Sequence, residues 1–316
     1  MSEKKIIAIL GATGAQGGSL ANAILDDPDS QFSVRAITRN ASSEKATALA
    51  AKGAEVVEAD VENVESLKQA FEGAYGAFCV TFFWEHFSPE KELAHAKGMA
   101  EAAKEAGVQH VIWSTLEDTR NWVPLEDDRM PTLMGAYKVP HFDAKGEADN
   151  YFTELGLPVT LLRTSFYWDN LVHFGMGPAK GPDGNFYFNL PMGERKLPGI
   201  AAEDIGKSAY GIFKAGSEFI GKTVGIVGES LTGAEMASSL STALGTNITY
   251  NAVPHDVYRS FDFPGADDLG NMFQFKHDFE EEYVGARSVE TTKALNPSLQ
   301  SFDAWLQKNK ENIPMA

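Results

Sequence analysis

Cysteine is almost missing from this chain. Of 316 residues only Cys79 carries a thiol, so no internal disulfide can form. No CxxC pair and no Cys/His cluster occurs, which excludes the common zinc frameworks. The 7 histidines include no HExxH and no i,i+4 pair, so no metal is expected. This scarcity points to a reducing compartment, and the expected location is cytoplasmic, with the nucleus also open in a eukaryote. Long apolar runs are absent too. None approaches the ~20 positions that span a bilayer, so no membrane is expected as a partner. The opening MSEKKIIAIL has one short apolar stretch that runs into glycines, and it reads as a first strand rather than a signal peptide. Positive charge is scarce: 27 Lys and Arg face 44 Asp and Glu, a net charge of −17. With no basic run, direct binding to nucleic acid is disfavoured, and any role in transcription would pass through a protein partner.

What is present is an alternation of two periodicities. The runs KIIAIL (5–10), SVRAIT (33–38), AEVVEA (54–59), AYGAFCVT (74–81), VQHVIWST (108–115) and LPVTLLR (157–163) read as strands. Between them lie helical patterns near 15–26, 42–51, 61–73, 88–107 and 140–155. Ser88-Pro89 has the form of an N-cap followed by proline at the first helical position. The class is α/β: a Rossmann-type, doubly wound parallel sheet with a smaller α+β C-terminal lobe. Residues 1–163 form the dinucleotide-binding domain, joined by a returning strand near 223–228. Residues 164–316 form the substrate or regulatory lobe. There, 165–200 is rich in Gly, Pro and aromatics, and only helices from Thr232 and near 301–310 stand out. Residues 117–139 lack periodicity and read equally as a lid or as a solvated excursion.

The stretch GATGAQGG (11–18) sits between the first strand and the first helix. In that context glycine spacing has a physical purpose. Gly11 permits a tight turn, Gly14 lets backbone approach a pyrophosphate, and Gly17 lets helix and strand pack closely. The helix N-terminus then offers unpaired N–H groups to the anion. The expected dinucleotide contacts here are Gly11, Thr13, Gly14, Ala15, Gln16 and Gly17. After the second strand stands Thr38-Arg39-Asn40, not the acidic residue that holds a ribose 2′-OH. Arg39 and Asn40 therefore favour NADP(H) over NAD(H), since a guanidinium grips a 2′-phosphate. By topology Asp60 and Val61 flank the adenine. Thr81, Phe82 and Phe83 lie at the ribose and nicotinamide, and Phe166 follows the sixth strand on the same side. Ser114 has no nucleophile-elbow glycine frame, which argues against hydrolase chemistry.

Together GATGAQGG, the TRN after strand two, HFDAKGEADNYF (141–152) and FPGADDLGNMFQF (263–275) resemble the NmrA-like branch of the atypical short-chain dehydrogenase/reductases. The resemblance covers nearly the whole chain and is nearest to the NmrA-like NADP(H) redox sensors. It implies an NADP(H)-binding protein that acts through a regulatory protein partner, with a homodimer also open. The wider superfamily protonates substrate oxygen with the tyrosine of a YxxxK pair, assisted by a serine after strand five. By that resemblance Ser114 and Lys145 keep the serine and lysine positions, and Lys145 also contacts the cofactor. His141 stands where the tyrosine would be. Imidazole transfers protons near pH ~6.5, although a neighbouring lysine cation disfavours its charged form. The sequence thus expects a cofactor sensor first. An NADPH-dependent reductase of a small carbonyl, enone or quinone, using Lys145, His141 and Ser114, is the alternative.

Overall fold

The computed structural model describes residues 3–315. Its strands are β1 (Lys5–Ile9), β2 (Phe32–Thr38), β3 (Glu55–Glu58), β4 (Gly76–Cys79), β5 (His110–Thr115) and β6 (Val159–Arg163). They continue as β7 (Phe166–Tyr167), β8 (Ala179–Lys180), β9 (Phe186–Leu190), β10 (Lys196–Ile200), β11 (Thr223–Gly225), β12 (Glu229–Thr232) and β13 (Ile248–Ala252). Seven strands form one parallel sheet in the order β11-β6-β5-β4-β1-β2-β3. The strand order reverses between β1 and β4. A ligand crevice opens at such a switch point, beyond the carboxyl ends of the strands.

The sheet is buried on both faces because its strands are apolar at both parities. Ile7 and Ile9 pack on one side with Leu20, Ile24 and Ile205. Ala8 and Leu10 pack on the other with Leu67, Ala100 and Phe152. The helices that cover these faces begin at side-chain caps: Ser43, Asn63 and Ser88 each accept an N–H from the first turn. Gly98 lets the helix Pro89–Glu105 lie against its neighbour, since a Cβ there would sit 3.0 Å from Val64 Cγ2. The doubly wound class expected from the sequence is therefore the class found.

The C-terminal half holds more order than its composition suggests. Two three-stranded sheets, β12-β10-β7 and β13-β9-β8, share a core with Phe188, Leu240, Phe273 and Trp305. The Gly- and Pro-rich stretch 165–200 supplies β7 to β10, strands too short to show a period. Only Thr223–Gly225 of the expected 223–228 strand joins the main sheet, beside β6. The chain then turns away, and the Gly228 N–H donates to the Gly199 carbonyl. The helix Gly233–Leu244 starts with a capping box formed by Thr232 and Glu235. Residues 117–139 are not a solvated excursion: Val123, Met130 and Val139 are fully buried. Among the described residues no helix is long and apolar enough to cross a membrane.

Candidate functional site

The glycine loop lies at the carboxyl end of β1. Gly11 has φ +61°, and the Gly14 N–H donates to its carbonyl at 2.8 Å. A Cβ on Gly17 would lie 2.5 Å from Gly11 O and 2.6 Å from Leu10 O, so only glycine fits between helix and strand. The helix Ala15–Leu25 has no side-chain cap and no acidic residue in its first turn, unlike its capped neighbours. Its positive end is therefore left for an anion. Gln16, in the first turn, donates from Nε2 to Tyr167 Oη at 2.7 Å and accepts from Ser114 Oγ at 2.7 Å. Ser114 is thus tied to the glycine loop. Thr13 and Ala15 complete the loop, and the Thr13 carbonyl accepts from Lys45 Nζ at 3.3 Å.

The residues after β2 and β3 are engaged locally. Arg39 pairs with Glu85 at the surface, and this bond raises the guanidinium's already high pKa. Asn40 Oδ1 accepts from the Ser42 N–H at 3.0 Å, and Asp60 Oδ1 accepts from the Glu62 N–H at 2.9 Å. Both side chains therefore close Asx turns. Val61 is half-buried beside them. Phe82 is 56% exposed, whereas Phe83 and Phe166 are buried. Phe83 packs edge-on to Trp84 and Phe87, and Phe166 belongs to the core of the second lobe, against Phe273.

Lys145 sits inside a network that the sequence did not reveal. Its Nζ bonds Thr81 Oγ1, reaches the Thr81 carbonyl at 3.4 Å and pairs with Glu92 Oε1 at 2.9 Å. It also lies 5.1 Å from the centre of the Trp113 ring. Glu92 is wholly buried. Burial alone would raise its pKa, but the Lys145 charge, hydrogen bonds from Thr81 and Lys145, and His86 Nε2 at 3.4 Å hold it down to about 2. The signal was present in principle: Glu92 shares a helix face with Pro89, Ala96 and Met99, all buried. One turn beyond Lys145, Asp149 accepts from Trp113 Nε1 at 2.9 Å and Thr115 Oγ1 at 2.6 Å. Burial pushes its pKa up to about 7.

His141 opens the turn before Lys145 on the helix Pro140–Glu154. The lysine is not its bonded partner. Its Nδ1 meets Asp268 Oδ1 at 2.6 Å, and its backbone N–H donates to Asp268 Oδ2 at 3.2 Å. Asp268 lies in the helix Ala266–Asp278, within the FPGADDLGNMFQF stretch. The same stretch grips the long loop. Asn271 Nδ2 donates to the carbonyls of Pro131 and Lys138, at 2.9 and 2.6 Å, and Gln274 Nε2 donates to the Arg129 carbonyl at 2.8 Å. Gly265, at φ +82°, leaves room for the Trp84 ring, which packs tilted against His141 with ring centres 4.7 Å apart. Asn271→Ala should leave two loop carbonyls unsatisfied and cost roughly 1–3 kcal/mol. Limited proteolysis should then cut within 117–139, and an unchanged pattern would reject this pinning role.

The profile of the NmrA-like family matches residues 3–306. The chain belongs to the NmrA-like family. Its curated relatives include the NmrA-like family domain-containing oxidoreductase FrzB of Cladobotryum sp. That protein is 28% identical over 311 residues, covering 92% of this chain and 89% of the relative. Among solved structures, NmrA, a negative transcriptional regulator, superposes in its NADP complex with a TM-score of 0.79. It is 25% identical, over 97% of this chain and 95% of that one. NmrA has also been solved with NAD, at a TM-score of 0.78 and 25% identity over the same shares. Triphenylmethane reductase of Citrobacter sp., complexed with NADP(H), shares the fold. Its TM-score is 0.75 at 20% identity, over 96% of this chain and 99% of that one.

In this NmrA-like chain the structure brings together the glycine loop, Ser114, Thr81 and Lys145 at the carboxyl ends of the central strands, with His141 one helical turn away. It adds Glu92, Asp268, Trp84 and Tyr167. Tyr167 follows the sixth strand, where the sequence places aromatics beside the pocket, whereas Glu92, Asp268 and Trp84 each act through a residue distant in the chain.

Proposed function

We propose that this NmrA-like protein binds NADP(H) at the switch point and uses it to reduce a small carbonyl, enone or quinone. The observation that carries the reading is Lys145, held by buried Glu92 and by Thr81 beside an uncapped, glycine-lined helix start. The oxidoreductase names of curated relatives support it. The residues fit a dinucleotide. Gly17 keeps helix and strand close, the helix start faces a pyrophosphate, and Lys145 stands where the nicotinamide ribose would lie. When bound, the reduced dinucleotide supplies a hydride. The protein's residues orient it and supply the proton.

A preference for NADP(H) over NAD(H) rests on Arg39, which must exchange Glu85 for a 2′-phosphate. Arg39→Ala should weaken NADPH binding about tenfold and leave NADH unchanged, since a forked contact to phosphate is lost. Equal weakening of both would reject the preference.

A second reading, a redox sensor with a regulatory protein partner, is favoured by one feature. Asp268, Asn271 and Gln274 of the second lobe hold the loop and the helix that carry His141 and Lys145. Occupancy could be reported through that grip if the two states differ in cofactor affinity. Single-turnover oxidation of bound NADPH, followed by near-ultraviolet absorbance against quinones and enones, separates the readings. Rapid loss abolished by Lys145→Ala supports the reductase. Bound NADPH that stays reduced against every compound favours the sensor.

A further inference from the structure

We infer that His141 is the proton donor of the reduction and that Asp268, from the second lobe, is its positioning residue. This rests on the reductase reading. The first observation is that Lys145 has no N–H to spare: its ammonium is shared among Thr81 Oγ1, the Thr81 carbonyl and Glu92. The second is the geometry of the imidazole. Asp268 takes two hydrogen bonds from the same residue, one from the backbone N–H and one from Nδ1. A carboxylate only accepts, so Nδ1 carries a proton and Nε2 is the nitrogen that gains or loses one. Nε2 has no hydrogen-bond partner among the described residues, yet it is not sealed from solvent. The Trp84 ring, 4.7 Å away, and Phe142, 4.8 Å away, hold the ring's plane. The ring is thus fixed by three side chains, and among the described residues none bonds Nε2. The arrangement matches the logic of an oriented acid–base imidazole: the carboxylate sets the tautomer and stabilises the imidazolium.

The substrate carbon gains a hydride, with both electrons, from a reduced nicotinamide. The C=O π pair moves onto oxygen. The Nε2–H bond of the imidazolium breaks, and that proton goes to the oxygen. His141 is left neutral, with its other proton still on Nδ1, and water restores the proton on Nε2. Among the described residues that bond His141 or pack a ring on it, Asp268 is the titratable one. Phe83, Trp84 and Phe142 carry no charge, and Lys145, on the same helix, is neutralised by Glu92.

The test uses the full chain loaded with NADPH and three probes: benzaldehyde, 2-cyclohexen-1-one and 1,4-naphthoquinone. His141→Gln should slow single-turnover oxidation on the order of 100-fold, within the usual range for general acid catalysis, with NADPH affinity unchanged. The wild-type rate should fall as pH rises, and the His141→Gln rate should lack that fall. Asp268→Asn should slow the rate roughly tenfold or more, and Asp268→Glu should recover part of it. Thermal melts of each variant separate these effects from unfolding. Turnover whose pH profile is the same in wild type and His141→Gln would overturn the inference and leave the reductase reading standing. A wild type that oxidises NADPH with none of the three probes would overturn both.

Discussion

Lys276→Met should make this protein more stable, by roughly 2–4 kcal/mol near neutral pH. Lys276 is buried in the second lobe and, among the described residues, has only the Met272 sulfur, at 3.3 Å, as a hydrogen-bond partner. Four rings surround it at 5.2–6.0 Å: Phe142, Phe166, Phe273 and Tyr283. They return part of the hydration that the ammonium has lost. They do not return all of it. Burial, first, and the charge of Arg287, second, lower its pKa from 10.5 to about 7, against a smaller opposing pull from Glu117. Between those two values the unfolded chain holds a proton that the folded chain has released, so this group makes stability rise with pH. The cost is full below about pH 7 and gone above about pH 10.5. Methionine keeps the length of the side chain and removes the charge. Urea denaturation at about pH 6 should therefore show the largest gain, and at about pH 10 the gain should nearly vanish. A variant less stable than wild type at the lower pH would mean that the aromatic cage more than repays the burial of the charge.

Gly17→Ala should abolish dinucleotide binding. The added methyl would stand 2.5 and 2.6 Å from two backbone carbonyl oxygens, neither of which can rotate away. The helix must lift from β1, and overpacking of this kind costs about 1–3 kcal/mol. The functional loss should be larger than the loss of stability, because the uncapped N–H groups move with the helix. Thermal melts test both effects at once. In wild type, NADPH should raise the Tm, as any ligand selective for the native state must. In Gly17→Ala the baseline Tm should fall and the NADPH-dependent rise should disappear. A normal rise would show that the glycine loop does not hold the nucleotide.

The strands of the sheet were legible because parallel strands buried on both faces must be continuous apolar runs. Each of the six expected strands of the first half is found, within a few residues at its ends. The cap at Ser88 and the helix start near Thr232 were legible because helix starts are local devices, complete within four residues. The second lobe was harder to read. Its strands are short and broken by glycine and proline, and a strand of two residues has no period.

The site divides in the same way. Sequence alone determined the glycine loop and the parallel α/β class, because spacing along one chain carries that information. Only the tertiary structure decided what those residues touch. His141 meets Asp268 across 127 positions, Lys145 meets Glu92 from another helix, and Arg39 meets Glu85 rather than open solvent. The 117–139 loop was ambiguous because its anchors, Asn271 and Gln274, lie in a helix far along the chain. For the buried pairs the physical reason is the same. Hydrophobic periodicity fixes which face of an element is buried. Which charge meets which is fixed by the packing of elements distant in sequence, and there the cost of burying a charge selects its partner.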